Sequence, residues 1–279
     1  LESIYLKDYK APQFFIDRAD LKFELYEDET IVTSKLHFRK NSESQNFNNT
    51  IHLNGEELEL LSLFLNDSPM EEDKYSLDKN GIYLKNMPEI FTLESKGRIF
   101  PQKNTALEGL YKSNSLFCTQ CEAEGFRKIT WFLDRPDVMT KFSVRLEADK
   151  KKFPTLLSNG NFIKKGALVK NRHFVEWHDP IPKPCYLFAI VAGNLSSIND
   201  SFQTKSGKVV DLNIYVEPEN INKCEHAMKS LKNAMRWDEE NYGREYDLEI
   251  FNIVAVNDFN MGAMENKSLN IFNSKYVLA

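Results

Sequence analysis

The stretch Leu21-Lys22-Phe23-Glu24-Leu25-Tyr26-Glu27-Asp28-Glu29-Thr30-Ile31-Val32-Thr33-Ser34-Lys35-Leu36-His37-Phe38 decides the fold class. Leu21, Phe23 and Leu25 alternate with polar neighbours, Glu27-Asp28-Glu29 reads as a turn, and Val32, Leu36 and Phe38 resume a period-two face. This is the pattern of a β-hairpin with one buried side. Outward from it, further strand-like runs lie at 58–65, 82–84, 91–93, 142–148 and 174–177, separated by Asn, Asp, Gly and Pro. Repeated short strands predict a mostly β domain, an antiparallel β-sandwich or saddle. Ser158-Asn159-Gly160-Asn161 is a turn whose glycine can take a positive φ. Pro180, Pro182 and Pro184 are expected to break regular structure ahead of a strand over 186–192. The domain should close near Gly193, dividing the chain into 1–193 and 194–279.

Beyond that point a hairpin, 202–204 with 209–216, turns at Ser206-Gly207. The period then changes. Cys224, Ala227, Met228, Leu231, Ala234 and Met235 fall at helical spacing between the start signals Pro218 and Asn220 and the stop signal Gly243. Leu248, Ile250, Asn252 and Val254 alternate into a strand, and Ile271-Phe272 opens another apolar stretch that completes no core before Ala279.

At 279 residues the chain has room for about two domains. With 42% hydrophobic and 28% charged residues it has the balance of a folded globular protein. The net charge of -5 arises from mixed acids and bases with no basic stripe, so nucleic acid is not expected as a partner. The apolar runs around Leu60 to Leu65 and at 186–192 fall far short of the roughly 20 residues of a membrane span, so no membrane partner is expected. The start, Leu1-Glu2-Ser3-Ile4-Tyr5-Leu6-Lys7, has no basic head and apolar core of a secretory signal, and Leu1 in place of an initiator methionine points to missing leading residues. Four cysteines do not form a disulfide framework, which suits a reducing cytoplasmic location.

A site for a free α-ammonium needs a carboxylate beside an open backbone edge. Gly262-Ala263-Met264-Glu265-Asn266 offers both, because Gly262 and Ala263 let a peptide approach as an added strand and Glu265 closes it with charge. This run is the GAMEN signature, and the chain resembles the bacterial branch of the aminopeptidase N family of gluzincin zinc peptidases. A second similar segment runs from Thr119 through Gln120, Cys121, Glu122 and Gly125 to Trp131-Phe132-Leu133-Asp134-Arg135-Pro136-Asp137. Segments 104–111, 183–189 and 269–276 extend the likeness, the first hundred residues carry less of it, and Ser268 stands where the bacterial pattern has Gly. The resemblance implies that Glu122 joins Glu265 on the substrate amine. It also implies that Gln120, Met261 and Tyr276 line the pocket for the first side chain, and that 194–279 begins a thermolysin-like α/β catalytic domain. Two carboxylates on one ammonium would select a cation and disfavour a blocked amine.

The same resemblance implies a zinc-dependent aminopeptidase acting on peptides with a free N-terminus, its metal held by H-E-x-x-H and a later Glu. That motif is absent here. His37, His52, His173, His178 and His226 include no pair four apart with Glu after the first. Zinc and the general base are therefore expected within a few tens of residues beyond Ala279, in the remainder of the catalytic domain, and this chain alone is expected to be inactive. Two rival readings stand beside this one. The β domain could be a non-catalytic interaction or peptide-binding module, or Cys118-Thr119-Gln120-Cys121 could be a redox dithiol or half a zinc knuckle.

Overall fold

A computed structural model describes residues 5–44 and 49–278. Residues 1–4, read above for a targeting head, and Ala279 lie outside the described residues. The hairpin at the head of the chain is Phe14–Leu25 with Thr30–Lys40, closed by Tyr26 N–H donating to Glu29 O at 3.0 Å. Its first strand begins earlier than its alternation suggests. Phe14 and Ile16 are buried, a bulge intervenes between Ile16 and Arg18, and burial resumes at Ala19, Leu21, Phe23 and Leu25. One extra residue resets the phase, so both halves face the same core.

This hairpin is the centre of an eight-stranded sheet that also contains Asn161–Ala167, Arg172–Lys183, Thr140–Asp149, Ile90–Ile99, Glu59–Leu65 and Ser68–Pro69. All neighbours are antiparallel except Phe14–Leu25 with Thr140–Asp149. A four-stranded sheet (Thr155–Ser158, Ile190–Gly193, Leu116–Gln120, Gly109–Ser113) and a three-stranded one (Ile51–Asn54, Gly81–Leu84, Tyr75–Asp78) supply residues to the same core. Its centre is aromatic: Phe126 lies 4.8 Å from Phe132, 5.9 Å from Phe142 and 5.1 Å from Phe188, ring centre to ring centre.

Two expectations are corrected here. Pro180 and Pro182 do not end regular structure but lie inside Arg172–Lys183. On one side pairing with Asn161–Ala167 stops at His178, and on the other the ladder is bulged between Thr140 and Phe142, so neither proline nitrogen is asked for a ladder hydrogen bond. The following strand does not begin at Tyr186, which sits in the 3-10 turn Cys185–Leu187, but at Ile190. Gly160 does adopt a positive φ of 87°, and a Cβ there would meet His178 O at 2.2 Å.

Strands from Ser196 onward form a separate five-stranded sheet, in the order Ser196–Gln203, Val209–Val216, Ile250–Val256, Leu269–Asn273, Ala263–Met264. The three middle strands are mutually parallel, and the helix Glu225–Asn241 makes the crossover between the first two of them. Met228, Leu231 and Met235 of this helix pack with Leu212, Ile214, Ile253 and Ala255 on one face of the sheet. Val254, Leu269, Ile271 and Met264 on the other face join the core of the β-sandwich. Covered on both sides, the central strand is buried continuously from Asn252 to Val256 and does not show the one-sided alternation expected of it.

Ser268 explains itself in this setting. Its φ is 68°, a conformation glycine adopts freely, and its buried hydroxyl accepts the Gly160 N–H at 2.5 Å. A local backbone cost of about 1 kcal/mol is offset by a bond joining the two sheet systems.

Candidate functional site

The motif strand Ala263–Met264 is the last in the sheet order. On its inner side Ala263 is paired with Phe272 and Met264 with Ile271, and Gly262 O accepts Asn273 N–H at 2.9 Å. Its outer side pairs with no described strand. Alternation then sorts the side chains: Met264 and Asn266 are buried, while Ala263 and Glu265 are exposed. Gly262 is exposed, and an added Cβ would meet only the Tyr276 ring at 3.7 Å, an ordinary contact. No clash within the described chain requires glycine there, so the missing side chain serves whatever approaches from outside.

A cavity of about 460 Å³ opens beside this strand, between it and the long helix. Ala263, Met264, Glu265 and Tyr276 line it; Gln120, Glu122, Met261, Gly262 and Asn266 do not. Three polar lining residues were not assigned to the site from the sequence: His226, Ser230 and Asn270. His226, Ser230 and Ala234 follow one another at four-residue steps on the helix, beside the apolar positions that the periodicity picked out. That spacing is the signal that could have found the first two. Asn270 is 8% exposed, and its Nδ2 has no hydrogen-bond partner among the described residues.

Gln120 ends the strand Leu116–Gln120, opposite Gly109 in the neighbouring strand. It is 1% exposed, and neither its Oε1 nor its Nε2 has a partner among the described residues. Glu122 is exposed two residues further on. The loop folds back over the strand because Gly125 has no side chain; a Cβ there would lie 2.5 Å from Gln120 O. Arg127 then fastens the loop to buried Asp134 through Nε at 2.9 Å and through its own N–H at 3.1 Å. Three bonds join this region to the segment leading into the motif: Tyr111 Oη to Asp258 O at 2.9 Å, Ser113 Oγ to Asp258 Oδ2 at 2.7 Å, and Asn260 Nδ2 to Leu107 O at 3.2 Å. Neither Glu122 nor Glu265 makes a hydrogen bond or ion pair with a described residue.

The cysteines are placed differently from a reactive dithiol. Cys118 lies in mid-strand and Cys121 just after it, both fully buried and unbridged. Burial pushes the Cys118 thiol up to about 12 and the Cys121 thiol well above its ordinary range, leaving little nucleophilic thiolate at neutral pH. Among the described residues no three His, Cys, Asp or Glu side chains converge as a metal site. His173 Nε2 donates to Phe153 O at 2.7 Å, and His178 Nδ1 shares a hydrogen bond with Ser143 Oγ at 3.1 Å.

Residues 9–187 match the Peptidase M1 N-terminal domain, and residues 226–279 match the Peptidase family M1 domain. Aminopeptidase N of Escherichia coli (strain K12) is 52% identical over 99% of this chain and 31% of its own length. Aminopeptidase N of Caulobacter vibrioides is 49% identical over 100% of this chain and 32% of its own. Among solved structures, Legionella pneumophila aminopeptidase A in complex with aspartic acid superposes with a TM-score of 0.95 at 36% identity, covering 98% of this chain and 32% of that one. The chain spans about a third of the length of the curated relatives it matches.

Proposed function

The chain belongs to peptidase family M1, and from that premise we propose that it is the N-terminal portion of an aminopeptidase that releases single N-terminal residues from peptides. In this reading a substrate backbone lies along the open edge of Ala263–Met264, unobstructed at Gly262, and its α-ammonium meets Glu265 and Glu122. Gln120, Met261 and Tyr276 border the first side chain. Met264 holds the strand from beneath through its buried side chain, and Asn266 follows as a buried amide. Two unpaired carboxylates give the site a negative potential that favours an ammonium over a blocked, neutral terminus.

Zinc, implied by the family resemblance, finds no ligand set among the described residues. It would be held by the remainder of the catalytic domain, so this chain by itself would bind without cutting. We also take 1–193 and 194–279 as the two domains, because strands up to Gly193 and strands from Ser196 share no sheet. Four free, buried thiols favour a cytoplasmic location.

The observation that carries the reading is the exposed edge of the motif strand ending in an exposed, unpaired Glu265. In the intact protein, Glu265→Ala should lower kcat/KM for unblocked aminoacyl substrates by about a hundredfold or more, since the ammonium would be left without its charge partner. An unchanged kcat/KM would sink the anchoring role.

A further inference from the structure

We propose that Asp258 is a positioning residue that sets the Glu122 loop in register with the motif strand, a role that rests on the amine-anchoring reading above. The hairpin formed by Gly109–Ser113 and Leu116–Gln120 delivers the first acid: Gln120 lies opposite Gly109, and Glu122 follows two residues later. The segment 257–262 delivers the second, running from the end of Ile250–Val256 to the motif strand. Asp258 ties the two together.

Both of its oxygen-bearing groups are engaged by one strand of that hairpin. Buried Tyr111 donates to its carbonyl at 2.9 Å, and buried Ser113 donates to its carboxylate at 2.7 Å. Asn260 adds a third bond, to Leu107 O at 3.2 Å, so the contacts extend along the hairpin towards the end that carries Gln120. Between them Phe259 is buried in the sandwich core. The other side of the segment is held by the end of strand Leu269–Asn273 and the short helix Ser274–Val277 after it, through Asn273 Nδ2 to Phe259 O at 3.2 Å and Ser274 Oγ to Asn257 Oδ1 at 2.7 Å.

The need for such a tie follows from what the two acids lack. Neither Glu122 nor Glu265 has a partner of its own, and like charges converging on one ammonium repel each other before it arrives. Their spacing must come from the backbones that carry them, and the two Asp258 bonds, together with the Asn260 bond to Leu107, are polar links between the segment leading into the motif and the hairpin that carries Glu122. A displacement of about 1 Å in such a pair is enough to cost substantial rate.

A double-variant cycle in the intact protein tests this, with an aminoacyl anilide bearing a free amine as the probe. Asp258→Ala should lower kcat/KM about fivefold to twentyfold, and Asp258→Asn, which keeps an acceptor oxygen for Ser113, should stay within about twofold of the parent. The decisive reading is coupling: Glu122→Ala should cost at least about fivefold less in the Asp258→Ala background than in the parent, because the acid is already out of register. Effects that simply multiply in the double variant would overturn the proposal and leave Asp258 a purely structural contact. If Glu122→Ala and Glu265→Ala themselves change nothing, the amine-anchoring reading fails and this proposal falls with it. Should Asp258→Ala not accumulate as folded protein, Asn260→Ala, which cuts the exposed bond to Leu107, carries the same cycle.

Discussion

Two buried polar regions of this molecule are built on opposite terms. Under the eight-stranded sheet, Lys183 and Asp179 are both almost wholly buried and meet at 2.5 Å, with Asp179 Oδ1 also accepting Ile181 N–H at 3.1 Å. Nearby, buried Asp134 accepts from Arg127 and from the Cys185 thiol. At the expected site positions the buried amides of Gln120 and Asn266 have no partner among the described residues at either end, and Asn270 in the cavity wall lacks one at Nδ2. An unmet buried amide costs on the order of 1–3 kcal/mol, which folding does not recover. The carboxylates of Asp179 and Asp134 are paired and hold the fold, whereas the amides of Gln120, Asn266 and Asn270 stay unmet among the described residues.

The widest test of that contrast is Asp179→Ala. Burial already holds the Lys183 pKa below its ordinary 10.5 against the pull of Asp179, and removing the carboxylate should cost about 3–5 kcal/mol in urea unfolding followed by tryptophan fluorescence. Replacing both members, Asp179→Leu with Lys183→Met, should recover most of that loss. A single-variant loss below about 1 kcal/mol would erase the distinction between the two regions. A smaller effect of opposite kind is expected at Gln120→Leu, which removes an unmet amide. Stability should hold or rise by up to about 1 kcal/mol while preference among first residues shifts; a clear destabilisation would mean that the amide has a structural partner after all.

The smallest effect sharpens the contrast at the surface. Burial raises the Asp137 pKa, but the Arg135 and Tyr9 hydrogen bonds outweigh it and hold the carboxyl below 3.8. A carboxylate with a depressed folded pKa contributes stability above its unfolded value and loses it as pH falls through the folded one. Asp137→Asn should therefore flatten the acid limb of the unfolding midpoint below about pH 3.8 and change stability at neutral pH by less than about 1 kcal/mol. An unaltered acid limb would show that this partly exposed cluster is only decorative.

Much of the fold was legible because burial on one side writes period two into a strand and 3.6 into a helix. Leu21, Phe23 and Leu25, and again Met228, Leu231 and Met235, announce their faces directly. What escaped lies where that rule is suspended. The bulge after Ile16 reverses the phase, and Pro180 and Pro182 occupy ladder positions at which no partner asks for an N–H. The central strand is covered on both faces, so it has no polar beat to count. At the site, Glu265 and its neighbours were readable as a motif and His226 and Ser230 only through their four-residue spacing on the helix, whereas Asn270 carried no signal, since lining a cavity places no demand on hydrophobic periodicity. The bonds at Asp258 span more than 140 residues of sequence and leave no local trace.

The open edge of Ala263–Met264 has one consequence that no side chain supplies. A backbone ladder has a sense, and the chain here runs from Gly262 towards Glu265. A guest laid head-to-tail against it, antiparallel, brings its amino end to the acid; a guest laid the same way round brings its carboxyl end there, charge against like charge. Two extended peptides of identical composition would thus be told apart by which way they point, and the strand would act as a one-way street for whatever is threaded along it.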